Sequence, residues 1–530
     1  VPYVPSLERA PTYARNGIVA TSQPLAAQAG LHILRQGGNA VDAALAAAIA
    51  LTVVEPVSNG IGGDAFALVR YEGATIGLNG SGRSPRTQPP PAFPDPPIPR
   101  LGWDTVTVPG TPRAWADLHD RAGRLPFERL FEPAVHYART GFVVTPMVAR
   151  NWHMAERRFA NARARLPEIA GWFATFTLDG RPPQVGDTVR LPDHAQTLER
   201  IARSHADDLY DGESARAIVD FAAGTGGHLS HEDLVAHAGA WVEPRSVAYR
   251  DALVWELPPN GQGIVALQAL GILAGVDFAG LDAIERVHLQ VEALKIAFAD
   301  AGAHIADPEW APYDLDLHLD RMRLAAHRAT IGPEARDPAA LSPQPGGTVY
   351  VAAADAEGTL VSWIQSNYEF FGSGVVVPGT GIALQNRGAG FATDPSHVNT
   401  WAPGKRPYHT IIPALFEHPE LGQGPLGMIG GHLQPQGHVQ LVSRLVDDRA
   451  GLQDAVDAWR FQWRQGRRLD IERHAPAHIA DALALRGHEV VLLPDTGRYD
   501  FGRAQIVLRR SDGVLAGASD ARADGLAAGY

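Results

Sequence analysis

Thr348 sits where two unlike stretches of sequence meet. Pro343, Pro345, Gly346 and Gly347 close a linker over residues 333–347, and an apolar run, Val349 to Asp355, begins directly behind it. A β-branched residue at such a junction reads first as the ordinary opening of a strand. Its hydroxyl becomes a nucleophile only if a neighbouring base activates it. Other residues with chemical potential fail on spacing or context. The chain has no Cys, which removes disulfides, thiolate metal sites and a Cys nucleophile. No G-x-S-x-G elbow, Walker A loop or H-E-x-x-H occurs. Gly60-Ile-Gly-Gly63 precedes a predicted strand instead of opening a helix, which is the wrong context for a dinucleotide loop. His231 and His237 are six apart near a helix start and share no face. They read as surface histidines, and neither a metal nor a cofactor is expected.

The elements around these residues follow from periodicity and caps. Ser22 is placed to cap a helix opened by Pro24 and closed by Gly37-Gly38. Asn39 can cap a second helix reaching Val54, so rich in Ala and poor in charge that it should lie buried between layers. The glycine-rich loop Glu55 to Asp64 leads into a strand from Ala65 to Tyr71, with another near Thr75 to Leu78. Arg86 to Arg100 is nearly half proline and predicts extended surface chain. Ser230 and Asp233 form a capping box, and His288 to Ala303 reads as a long helix. Past the linker, Val349 to Asp355 and Thr359 to Gln365 predict a hairpin turning at Ala356-Glu-Gly358. Further strands are expected at Gly374–Val377, Thr410–Phe416 and Leu426–Ile429, then a helix from about Gln436. Helices flanking stacked strands suggest an α/β sandwich of mixed or antiparallel sheets.

A length of 530 residues allows several domains or one large unit. The formal charge of −12 argues against nucleic acid or an anionic membrane as main partner. Val1 to Arg15 holds no apolar h-region, so no signal peptide is expected in it. The compartment stays open, leaning cytoplasmic. Ala40 to Val54 is too short to span a bilayer.

Several segments, in order along nearly the whole chain, carry a resemblance. They are Gly17 to Ala26, Gly37-Gly-Asn-Ala-Val-Asp-Ala-Ala44, Glu55-Pro-Val-Ser-Asn-Gly-Ile-Gly-Gly-Asp64, Val108-Pro-Gly-Thr-Pro112 and Leu257-Pro-Pro-Asn-Gly-Gln-Gly263. His288 to Asp300, Gly347-Thr-Val-Tyr350, Phe371-Gly-Ser-Gly374, Gly381 to Arg387, Lys405-Arg-Pro407 and Gly430-Gly431 continue the series. Together they resemble the gamma-glutamyltransferase family of N-terminal-nucleophile hydrolases. The resemblance implies a four-layer αββα sandwich and a precursor that cuts itself before Thr348, giving a large subunit, 1–347, and a small one, 348–530. It implies that the Thr348 hydroxyl then attacks an amide while its freed α-amine takes the proton. An α-amine, titrating at about 7.7–8.0, suits that task. A small residue before the Thr, Gly347, allows the strained peptide geometry of an N-to-O acyl shift. Gly430 and Gly431 match the pair whose backbone N–H groups form the oxyanion hole. Asn367 matches an Asn near the nucleophile. Gln365 is placed where relatives carry a second Thr bonded to the nucleophile; it either orients the Thr348 hydroxyl or points to solvent.

The residues that would read a glutamyl group depart from the family pattern. Ser81 stands at the position of the Arg that binds the substrate α-carboxylate, with Arg83 two residues later. Arg83 either reaches the same anion or pairs with a surface acid. Gly390 replaces the Asp that binds the α-amine, Arg387 lies where a neutral or acidic group is usual, and His409 and Thr410 replace paired serines. The pocket thus loses its ammonium clamp and gains positive character, which favours short carboxylated amides such as oxamate. The loop between Phe391 and Lys405 is also short, at 13 residues. It is either an opened lid that favours hydrolysis over acyl transfer or a pruned surface loop. Three readings stay open: a glutamyl hydrolase, an amidohydrolase for a small anionic amide, and an uncleaved binding protein of the same fold. The partners implied are a small-molecule amide and the chain's own two subunits, with a higher oligomer left open.

Overall fold

The Ala-rich segment forms the helix Ala40–Val54, every residue of it buried. Asn39 accepts from the Asp42 amide and Asp42 from the Asn39 amide, a complete capping box. The preceding helix, Pro24–Arg35, is capped by Gln23, whose side chain accepts from Leu25 and Ala26. Ser22, expected in that role, instead donates to buried Glu55 at 2.6 Å. Both helices cover one sheet because small side chains let helix and strands approach closely.

The computed structural model describes residues 9–89, 99–338, 347–494 and 500–530. Residues 339–346 of the expected linker and 90–98 of the proline-rich run lie outside them. Two seven-stranded sheets organise the described chain, and all their pairings are antiparallel. One runs Leu526–Gly529, Gly17–Thr21, Gly347–Asp355, Leu360–Tyr368, Asp64–Tyr71, Ala74–Asn79, Ala240–Val242. The other runs Thr12–Ala14, Leu515–Ser519, Arg503–Arg509, Gly422–Ile429, Ala414–His418, Ala252–Glu256, Arg245–Tyr249. Helices Gly263–Ala274, Ala283–His304 and Leu433–Val446 form the layer outside the second sheet. The architecture is the expected αββα sandwich.

Strand alternation sorts side chains between layers. Val349, Val351 and Ala353 enter the core beneath the first helical layer. Tyr350, Ala352 and Ala354 face the other sheet and meet Ile411, Leu415 and Ile429. Asp355 fixes the hairpin: its side chain accepts from Gly358 and Thr359 in the turn and from Ala40 at the head of the buried helix. The segment Gly374–Val377 forms no strand; Val376 makes a single bridge to Ala383. Its glycines at 372 and 374, with φ of +69° and +78°, turn the chain too sharply for a ladder.

The two sheets approach closely where the Tyr350 ring lies over Gly427. A Cβ at Gly427 would meet that ring at 2.3 Å. Gly427→Ala is therefore expected to destabilise the fold by about 1–3 kcal/mol through overpacking. Chemical denaturation of the variant beside the parent measures it, and an unchanged midpoint would contradict this packing.

Candidate functional site

Thr348 is buried, with 1% of its surface exposed. It lies on a β-bulge: Gly347 pairs with Tyr368 and Val349 with Gln365, so Ser366 and Asn367 together oppose the single residue Thr348. Bulges of this kind re-aim side chains, and this one brings the Ser366 hydroxyl to the peptide bond between Gly347 and Thr348. Ser366 Oγ donates to the Gly347 carbonyl oxygen at 2.6 Å. It accepts from Thr348 Oγ1 at 3.1 Å and from the Tyr368 amide at 2.8 Å. Tyr368 holds φ +75°, a conformation costly for an aromatic residue and found mainly where function demands it. Gly347 is closely surrounded; an added Cβ would lie 3.1 Å from the Phe370 nitrogen and 3.4 Å from Ser58 Cα.

Arg387 stands behind Ser366. Its side chain is fully buried, with Nη2 3.4 Å from Ser366 Oγ and Nη1 donating to Thr410 Oγ1 at 2.9 Å. Its guanidinium lies 4.2 Å from the centre of the Tyr368 ring, a cation–π contact. Nε has no partner, and no carboxylate among the described residues pairs with this cation. Burial lowers its pKa to about 10, leaving it charged at neutral pH. A buried guanidinium without a carboxylate partner has the chemistry to hold an anion.

His409, expected to add positive charge, does not. Burial and the Arg387 charge lower its pKa to about 4, so the ring is neutral and Nε2 donates to Asp64 at 3.0 Å. Asp64 is then fully engaged, also accepting from the Gly82 amide and Gln385 Nε2. The site's positive character rests on Arg387 alone. Thr410 is present as an acceptor for it.

Two further expectations are corrected. Gln365 neither bonds Thr348 nor faces solvent. It points into the helical layer, accepting from the Trp115 and Trp363 indoles and donating to the Ala48 carbonyl and Asn59. The alternation of the strand gives the contact with Thr348 to Ser366, a residue the sequence reading missed; the bulge that exposes it leaves no mark in composition. Arg83 is occupied by acids, 3.1 Å from Asp307 and also paired with Glu309. Ser81 is buried against Asn79 and Asn260. Neither Ser81 nor Arg83 joins the Thr348–Ser366–Arg387 group.

Asn367 turns the opposite way from Ser366. Its amide lies under the glycine loop, where a Cβ at Gly63 would come within 2.5 Å of Asn367 Oδ1. Gly430 and Gly431, with φ of +133° and +62°, turn the chain from the strand Gly422–Ile429 into the helix Leu433–Val446. That strand faces Gly347–Asp355 across the sandwich. Gln262 joins the glycine pair to the Arg387 side of the site, donating to the Thr410 carbonyl at 2.6 Å and the Gly431 carbonyl at 2.9 Å.

The four-layer sandwich is the architecture of N-terminal-nucleophile hydrolases. The gamma-glutamyltranspeptidase family model matches residues 26–530. The chain belongs to that family, and it is an enzyme of the amide-hydrolase class. It is 36% identical to the oxamate amidohydrolase proenzyme of Klebsiella pneumoniae, over 97% of this chain and 98% of that one. It is 35% identical to the glutathione hydrolase-like YwrD proenzyme of Bacillus subtilis, with the same coverage of 97% and 98%. Among solved structures, a cephalosporin acylase from Bacillus halodurans superposes with a TM-score of 0.94 at 46% identity, covering 100% of this chain and 98% of that one.

Burial likewise lowers His194, His409 and His432 to about 4. The unfolded chain takes up protons on these rings below about 6.5, whereas the folded chain refuses them until about 4. Their neutral state therefore favours folding above pH 6.5, and that contribution is lost as pH falls through 6.5 toward 4. Melting temperatures recorded across this window are expected to fall steadily, and less steeply in His409→Asn. A flat profile would contradict neutral buried rings.

Proposed function

We propose that this chain cuts its own Gly347–Thr348 bond and then uses Thr348 to hydrolyse small amides whose acyl part carries a carboxylate. The observation that carries the reading is the contact series from Thr348 Oγ1 through Ser366 Oγ to Arg387 Nη2. It puts an unpaired buried cation one hydroxyl away from the nucleophile. In the first step Thr348 Oγ attacks the Gly347 carbonyl carbon, and Ser366 supports the charge growing on the Gly347 oxygen. The Thr348 hydroxyl proton passes to the amide nitrogen, the C–N bond breaks so that this nitrogen leaves as the Thr348 α-amine, and water cleaves the resulting ester to the Gly347 carboxylate and the free Thr348 hydroxyl. The products are a large subunit, 1–347, and a small one, 348–530.

In turnover the α-amine takes the Thr348 hydroxyl proton as Oγ attacks the substrate carbonyl. The Gly430 and Gly431 amides receive the oxyanion, the leaving amine departs protonated, and water releases the acid. Arg387 grips the acyl carboxylate in a fixed fork. A glutamyl α-ammonium finds no free acid, because Asp64 is committed to His409, Gly82 and Gln385 and position 390 is glycine. This favours oxamate-like amides over glutamyl compounds, in keeping with the name of the Klebsiella relative. The short stretch between Phe391 and Lys405 leaves the acyl-enzyme open to water, favouring hydrolysis over transfer.

Mass spectrometry of the purified protein is expected to find a new N-terminus at Thr348, absent in Thr348→Ala. Oxamate should be hydrolysed and a glutamyl anilide should not. Arg387→Gln should lower kcat/KM for oxamate by about 30-fold or more, the cost of an unpaired buried charge in the complex. A single intact band after long incubation, or preferred glutamyl turnover, would overturn the reading.

A further inference from the structure

We infer that Arg387 also sets the basicity of the Thr348 α-amine, so that an anionic acyl group strengthens the base its own hydrolysis needs. This rests on the reading of Thr348 as a freed N-terminal nucleophile. Cutting before Thr348 creates an amine beside Ser366, within the field of a guanidinium that itself contacts Ser366. A like charge disfavours protonation of an amine, and low surrounding dielectric strengthens the effect.

Among the described residues no carboxylate forms an ion pair with that cation, although the Asp64 charge acts on it from a distance. From the strand Leu360–Tyr368 come the neutral Ser366 and the Tyr368 ring under the guanidinium. From the strand Asp64–Tyr71 comes Asp64, whose oxygens accept from the neutral His409, Gly82 and Gln385 and whose charge offsets part of the field of Arg387. The next segment supplies His409, neutral, and Thr410. The loop whose Ser58 adjoins Gly347 carries Glu55, bonded by Ser22 and 3.7 Å from Arg503. Glu369, just past Tyr368, is held by Arg100 and Arg158. His432, ahead of the helix Leu433–Val446, is neutral. Arg387 is left as the cation without an ion pair, its field offset only in part by Asp64.

The free enzyme therefore keeps its α-amine unprotonated to lower pH than an ordinary N-terminus. When a substrate carboxylate pairs with Arg387, the field at the amine collapses and the amine becomes a stronger base. An uncharged amide binds without that change and meets a weaker base. Selection for the anion then appears in kcat as well as in KM, and Arg387 acts on the chemistry through the amine as a positioning and tuning residue.

The test uses wild type, R387K and R387Q, each first checked by mass spectrometry for the Thr348 N-terminus. The acid limb of the pH profile is read in kcat/KM and in kcat, with oxamate and with an uncharged acyl anilide. Wild type with oxamate should show the kcat/KM limb about one pH unit or more below the kcat limb. With the uncharged amide the two limbs should coincide at the lower value. R387K should keep the separation. R387Q, read with the uncharged amide, should move the limb up toward about 7.7–8.0, that of a free α-amine. Cut, active enzyme with coincident limbs on oxamate, or an R387Q limb that stays at the wild-type value, overturns the inference while leaving the hydrolase reading intact. An uncut wild-type chain removes both.

Discussion

The Ser366 hydroxyl is the point on which the site depends. Three donors converge on its oxygen, from Thr348, the Tyr368 amide and Arg387, and its single proton goes to the Gly347 carbonyl. A hydroxyl accepts twice and donates once, so Thr348 and the Tyr368 amide fill its acceptor capacity, Arg387 at 3.4 Å is the weak third contact, and its proton is polarised toward the carbonyl. The geometry exists only because the strand Leu360–Tyr368 carries one residue more than its neighbour between the flanking pairs. The left-handed turn at Tyr368 lets the chain leave the bulge while returning its amide to Ser366. Backbone strain, bulge and hydroxyl are one arrangement.

The layers around that arrangement explain why it is rigid. The buried helix Ala40–Val54 backs the strands on one side, and Gln365, Asn59 and two Trp indoles tie the helix, the glycine loop and the strand together. On the other side the Tyr350 ring closes on Gly427, which allows the strand before Gly430 and Gly431 to approach. Positive charge persists at the centre because Asp64 acts favourably on Arg387 and the neighbouring histidines stay neutral. Arg387 has no carboxylate paired with it, which is where selectivity for an anion would arise.

Much of the fold was legible in the sequence. Asn39, the Ala run behind it, the hairpin at Ala356-Glu-Gly358 and the long helix through His288 follow from capping and periodicity, and they appear with their ends moved by a few residues. The family segments gave the sandwich and singled out Thr348. What could not be read was register. Gln365 and Ser366 are adjacent, and one residue of offset sends a side chain to the opposite layer. Pairing was equally hidden: nothing in the spacing of Arg83 announces Asp307 and Glu309, more than 200 residues away, and nothing beside His409 announces Asp64. Charge counted from sequence overstated the cation content of the pocket, because burial silences a histidine that composition leaves ambiguous.

The interleaving of the strands carries a consequence for the life history of the molecule. In the first sheet Gly347–Asp355 lies between Gly17–Thr21 and Leu360–Tyr368, and in the second Ala414–His418 lies beside Ala252–Glu256. Strands from either side of position 347 thus pair with one another within both ladders. A break before Thr348 would yield two polypeptides with no separable halves, each stripped of partners along several edges if parted. Such a pair is topologically a single fold written on two strings. If it is assembled while still continuous, chain scission there would be a one-way record that folding had already succeeded.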